Sequence, residues 1–460
     1  MIDTSTTSPS YMAQQLATAY TQGTQNLLST QTQDAQTTSS ALTSLQSALQ
    51  AFQSALNTLS GQPTAVAQSA TFSNSAIGSA TANGTATAGS YQFFSEQLAQ
   101  ASQVAFQGVP AATPVGSAGT LVVKMADGTS LNVNLAAADT NGDGQLSPAE
   151  IASAINQNTA NAGKLAASVI TVNGVSQMVV TAGHTGANSQ ISLDTSGVTD
   201  STLASALGTA NTLVAAQDSI VWLGAQGTGI KMQQASNTYT SIAGVSMTFS
   251  QTQATGAAPV TLTVATDNSA TAKNVQGFVD AYNSLKTALD KLTDTGDAAN
   301  GKAAAAFASD AGVRSLRDRL NTIVRQTFAG GTLLQYGVSA DRYGTLSLNQ
   351  TKLQNALASN PTGLDKVLGG NSTTGLLGTA KSYLDSWLNF SSGQIKTRQD
   401  SVQRLQKDLT SRQSVLNDQY DQAYKRYLAQ FSALQSIQSL ISQNTGILSN
   451  LAGSGSSSNN

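Results

Sequence analysis

The chain has 460 residues, of which 40% are hydrophobic and only 10% charged, and its formal net charge is -2. That length exceeds one ordinary core and implies several domains. A charge content far below the roughly 25% of typical soluble domains leaves no clustered Lys/Arg footprint for nucleic acid. The absence of cysteine excludes disulfides, thiol catalysis and Cys-ligated zinc.

The opening "MIDTSTTSPSYMAQQLATAY" lacks a basic segment followed by an apolar one, so a cleaved secretory signal peptide is not expected. No run of about 18 apolar residues occurs, and no membrane span is expected. Residues 1 to 30 are rich in Thr and Gln and look weakly ordered alone. Leu42, Leu45, Leu49, Phe52, Leu56 and Leu59 then follow at three- and four-residue spacing, an apolar helical seam that Gly61 and Pro63 end.

Residues 64 to about 260 are rich in Gly, Ser, Thr and Ala. Alternating segments such as "SYQFFS", "TLVVKMADGTSLNVNL", "ASVITVNGVSQMVV" and "VTLTVATD" predict strands, and Asp-Gly within "MADGTS" predicts a hairpin. Helical periodicity returns with Val275, Phe278, Val279, Tyr282, Leu285 and Leu289 on one face, which Asp267 or Asn268 can cap. A helix is expected near Val313 to Phe328, a short strand in "YGTLSLN", and a helix in "QTKLQNALAS" that stops at Pro361.

At the carboxyl end, Val402, Leu409, Leu416 and Ala423 repeat every seven residues. A second row, Tyr420, Tyr427, Leu434, Ile441 and Leu448, does the same, but its earlier members are Gln399, Gln406 and Gln413. A seam that polar needs a partner. Both ends are one-sided, which favours pairing with each other and with further copies. "AGSGSSSNN" reads as a flexible tail.

The fold class is therefore α+β: a terminal α-helical coiled-coil region and a helix-rich inner domain, with β-rich outer domains inserted between them. The expected division is 1–60 with 393–460 (paired terminal helices), 61–105 with 255–392 (inner domain), 106–200 (outer β-rich domain) and 201–254 (a second β-rich segment).

Several segments resemble the flagellar hook-associated protein 2 family, the filament caps. "AKNVQGFVDAYNSLKTALDKLTD" is similar to the family's helix after the central insertion. "YGVSADRYGTLSLNQTKLQNALASNP" resembles its most recognisable stretch, through Gly337, Gly344, Leu346, Leu348, Leu353, Ala356, Leu357, Asn360 and Pro361. "RYLAQFSALQSIQSLISQNTGILSNL" resembles its terminal helix, and "GSYQFFSEQLAQAS" its first inner-domain strand. The opening "MIDTSTTSPS" departs from the family's Gly-Ser-Gly-x-Asp-like start.

The resemblance implies a structural, non-enzymatic protein at the distal tip of the bacterial flagellum. It implies export through the flagellar export machinery without a cleaved signal, with a secretion chaperone, and a homo-oligomeric ring, commonly a pentamer. The ring would help exported flagellin fold and insert. No nucleic-acid or membrane partner is implied. The other readings are a different axial protein, either flagellin or a hook–filament junction protein, or a calcium-binding surface adhesin. The Arg-Leu-Ser-Ser-Gly run of the first two is not found.

One motif lies outside the resemblance. "DTNGDGQLSPAE" matches the calcium-loop pattern: Asp139, Asn141 and Asp143 at positions one, three and five, Gly144 at the turn, the Gln145 carbonyl at seven, and Glu150 as the bidentate carboxylate at twelve. The same residues support a purely structural reading, because Ser147, Pro148 and Glu150 make an N-cap, a first-turn proline and a capping box. His184 is the single histidine and reads as a loop residue; Trp222 and Trp387 read as core. One histidine without cysteine supports no catalytic triad.

Overall fold

The computed structural model describes residues 8–369 and 374–454, with side chains through 450. Most of the departing opening (1–7) and the last six residues of the tail lie outside them. The chain divides into two compact units, Met1–Ala65 with Ala272–Asn460, and Val66–Thr271 between them in sequence. The fold is α+β, with helices concentrated in the first unit and antiparallel sheets in the second.

Helix α1 runs Pro9–Ser60. Ser8 caps it, its hydroxyl accepting from the Tyr11 N–H, and Pro9 occupies the first turn, where a missing N–H costs nothing. The Thr/Gln-rich start is helical here because its small residues face a partner helix: Met12, Ala13, Ala17 and Thr21 are buried. Sequence periodicity alone could not show this, since Ala and Thr do not mark a seam.

The inserted unit has two cores. In the first, a five-stranded sheet has the order 68–72, 260–266, 89–97, 219–223, 230–234, and a three-stranded sheet joins 238–239, 245–249 and 78–82. Phe93, Met247, Phe249, Leu262 and Val264 fill the space between them. In the second, 210–214, 103–106, 175–182 and 165–172 form one sheet, and 191–194, 120–125 and 130–134 another. Helices α2 (Pro148–Gln157) and α3 (Ser201–Gly208) complete that core with Ile151, Ile155, Leu203 and Leu207. The expected grouping of 61–105 with 255–392, apart from 201–254, runs across the five-stranded sheet. Strand 89–97 pairs with both 219–223 and 260–266, so these segments share one core.

Helix α4, Asn268–Leu292, leads back into the helical unit, with Asp267 accepting from the Ala270 N–H at 2.8 Å. All six of its predicted face residues, from Val275 to Leu289, are buried. Phe278 and Tyr282 put their rings 6.1 and 6.2 Å from Phe52 of α1. Then follow α5 (Ala311–Arg325), a hairpin of Val338–Ala340 and Leu346–Leu348, α6 (Gln350–Ser359), α7 (Gly363–Leu368), α8 (Gly375–Leu388) and α9 (Gln394–Ser454). Asp310 caps α5 and also takes the Arg398 guanidinium of α9 through both oxygens, the second contact being 3.0 Å. Arg398 in turn lies over the buried Trp387, 5.5 Å from its ring.

Candidate functional site: the terminal helix pair and the Asp139–Glu150 loop

Helices α1 and α9 run antiparallel, since Gln25 meets Gln413 and Gln46 meets Gln399. The seam has two characters. Leu42, Leu45, Leu49, Phe52 and Leu56 are sealed, at 2% exposure or less. Leu28 and Ala35 pack with Leu409 and Leu416 of α9. Two of the three glutamines that weaken the sequence pattern, Gln399 and Gln413, are paired across the seam. Gln413 donates to Gln25 at 2.8 Å, and Gln399 to Gln46 at 2.9 Å. Such amide pairs satisfy polar atoms at the seam and fix its register. Between them lies a groove of about 870 Å³ lined by Gln25, Thr32, Gln406 and Gln413.

The second row behaves differently along its length. Tyr420 and Tyr427 are half-buried, with Arg426 over Tyr427 at 5.0 Å and over Tyr20 at 6.0 Å. From there the row opens: Leu434 is 40% exposed, Ile441 59% and Leu448 67%. Ile437, Leu440 and Ile447 extend the same apolar stretch, each more than half exposed. Because Gln25 meets Gln413, Tyr20 lies beside Arg426 and both helices rise equally per residue, the start of α1 at Pro9 falls opposite about residues 429 to 437. The last four turns of α9 therefore carry an apolar seam with nothing of α1 beside it.

In the Asp139–Glu150 loop, the Asp139 carboxylate accepts from Gly142 and Gly144 N–H at 2.7 and 3.0 Å. Asn141 accepts from the Asp143 N–H at 2.8 Å, and Asp143 from the Gln145 N–H at 2.7 Å. Gly142 and Gly144 both sit at φ +74°, a conformation that favours glycine. Residues Gln145–Leu146 pair with Thr113–Pro114, and Leu146 is fully buried.

Glu150 completes the capping box of α2. One oxygen accepts from the Ser147 N–H and hydroxyl at 3.0 and 2.8 Å, the other from the Thr140 N–H at 3.1 Å. Those donors, Ser147 first, hold its carboxyl down at about 2. Thr140, which sequence reasoning passed over, ties the first turn of the loop to its last residue. Its signal was only its place as the second loop position. Among the described residues, no group of three or more His, Cys, Asp or Glu converges as a metal site requires. Asp139, Asp143 and Glu150 each serve local N–H groups instead.

His184 is exposed on a bend, Trp222 donates to Glu96 from a half-buried position, and Trp387 is buried. No helix among the described residues is long and apolar enough to cross a membrane.

Sequence comparison decides the family. The C-terminal profile of flagellar hook-associated protein 2 matches residues 216–443 and the N-terminal profile residues 5–102. The lateral flagellar hook-associated protein 2 of Vibrio parahaemolyticus is 32% identical over 79% of this chain and 81% of its own. This chain belongs to the flagellar hook-associated protein 2 family. The flagellar hook-associated protein 2 of Escherichia coli K12 is 28% identical over 89% of this chain and 88% of its own. The crystal structure of the flagellar cap protein FliD D1-D2-D3 domains from Escherichia coli superposes with a TM-score of 0.62 at 28% identity. It covers 79% of this chain and 99% of that one. The family match thus extends over both the terminal helices and the inserted sheets.

Proposed function

We propose that this hook-associated protein 2 is the structural cap at the distal end of a flagellar filament. It forms a homo-oligomeric ring, a pentamer, that promotes folding and insertion of exported flagellin. It reaches that place through the flagellar export machinery, without a cleaved signal and escorted by a secretion chaperone, and it catalyses no reaction. The observation that carries the reading, beside the family, is the apolar seam of α9 beyond the reach of α1, which a ring of copies would cover. A chain with no disulfide and few partly buried ion pairs also suits threading through a narrow channel in the unfolded state. The test is electron microscopy of filaments from cells carrying a tagged copy as their sole cap gene. The tag belongs at the tip; label along the shaft, or normal filaments in cells lacking the gene, would refute the reading.

A second proposal concerns the loop. We propose that Asp139, Asn141, Asp143, the Gln145 carbonyl and Glu150 take Ca²⁺ once the chain is outside the cell. The spacing and the two glycines support it, as does the strand pair that holds Gln145–Leu146 extended. Binding requires Glu150 to leave Ser147 and Thr140. Calorimetry in millimolar calcium tests this, and an absence of heat sinks it.

A further inference from the structure

Helix α9 outruns its partner. At and past the start of α1, Leu434, Ile437, Leu440, Ile441, Ile447 and Leu448 are between 40% and 67% exposed. Their spacing is a heptad. Leu434, Ile441 and Leu448 take the first position, Ile437 and Asn444 the fourth, and Leu440 and Ile447 the seventh. Gln435, Ser436, Ser439, Ser442, Gln443 and Gly446 fill the second, third and sixth positions, all polar or small. Both rows continue the seam that packs on α1: Ile437 lies three heptads after Leu416, and Leu434 two heptads after Tyr420.

The sequence of this face says what covers it. It is too wide for a two-stranded seam. From Ile447 round to Leu434 it spans about 140° of the helix at 3.6 residues per turn, whereas a pair of helices uses only the first and fourth positions. Leu at the first position with Ile at the fourth, as at Leu434 and Ile437, also favours more than two strands. Charge points the same way. Residues 394–426 carry eleven Asp, Lys or Arg, and residues 427–454 carry no charged side chain at all. The composition of α9 therefore changes where α1 ends. A charged partner finds nothing there to select, and identical helices laid side by side repel nowhere.

Asn444 is the one polar residue among the first, fourth and seventh positions of residues 434–448. Thr445 and Ser449 turn their hydroxyls back onto the Ile441 and Gly446 carbonyls, at 2.8 and 2.9 Å. The exposed Asn444 amide faces outward with the seam. A single Asn within an apolar seam fixes register and copy number at some cost in stability. We propose that the segment 434–448 of several copies joins as a parallel, in-register coiled coil of more than two helices, with Asn444 as an internal polar layer. The occupant of the open seam is thus the same seam of the other copies. The inference rests on the cap reading, because copies related by a rotation axis keep identical residues at one level and leave only the parallel arrangement.

The chain has no cysteine, so single cysteines report contacts between copies without background. Leu434→Cys, Ile441→Cys and Leu448→Cys replace exposed side chains and should leave the subunit folded. After mild oxidation of the full chain at assembling concentration, each should form a disulfide-linked dimer about tenfold faster than Ser439→Cys on the outer face. An antiparallel pair centred on Ile441 gives a different pattern: Ile441→Cys alone links to itself, and Leu434→Cys links only to Leu448→Cys. Asn444→Leu should tighten association about tenfold and lose the single copy number, read by sedimentation of the full chain. The antiparallel pattern overturns the proposal. So do equal rates at Ser439→Cys, no change with Asn444→Leu, or cysteines that link in cells to flagellin and never to a second copy. Electron microscopy separates this from the cap reading. Rings that form without these links remove the bundle and leave the cap; links in a protein whose tag lies along the filament shaft remove the cap and leave the bundle.

Discussion

Replacing Leu434 and Ile441 together with Asp should leave the isolated subunit folded and destroy its assembly. In the free subunit these side chains are 40% and 59% exposed. Exposed substitutions of this kind move stability by about 0.5 kcal/mol or less each. On assembly each would bury its remaining apolar surface, worth about 1–2 kcal/mol as a fraction of full burial. Placing a carboxylate there adds a desolvation cost of several kcal/mol. The total, at least about 4 kcal/mol per interface, weakens association by about a thousandfold. Leu416 gives the contrast within the same helix: it is 4% exposed against Leu28 and Ala35, so Leu416→Ala should cost the subunit itself about 2–5 kcal/mol. Thermal scans of dilute protein, light scattering at assembling concentrations and swimming plates read the three effects. The reasoning fails if the double Asp variant melts as early as Leu416→Ala, or if its rings and motility persist.

Other consequences follow the same geometry. Phe52→Ala removes a ring packed on Phe278 and Tyr282 and should cost about 3–5 kcal/mol, lowering the melting temperature of the helical unit while leaving the inserted sheets intact by hydrogen exchange. In a dilute monomer the amides of α9 beyond Phe431 should exchange fast and become protected on assembly; full protection in the monomer would contradict the open seam. The Arg398 guanidinium holds the Asp310 carboxyl below its ordinary value, so this bond stabilises above the unfolded pKa and is lost as pH falls through the depressed one. Arg398→Ala should therefore reduce stability at neutral pH and flatten the acid limb of the unfolding profile. If calcium raises the melting temperature of the wild type and not of Glu150→Gln, the loop is a metal site.

Much of this fold is legible in the sequence because apolar spacing and turn residues are local properties. The Leu42–Leu59 seam, the α4 face and the Asp-Gly hairpin could each be read without knowing what lies opposite. The start of α1 was not legible, since Ala13, Ala17 and Thr21 are buried only because α9 passes close enough to need small residues. The strand grouping was not legible either, because pairing partners lie far apart in the chain. Strand 89–97 carries no mark that its neighbours are 219–223 and 260–266, more than a hundred residues away. At Asp139–Glu150 both readings use the same letters, and the structure engages Glu150 with Ser147 and Thr140.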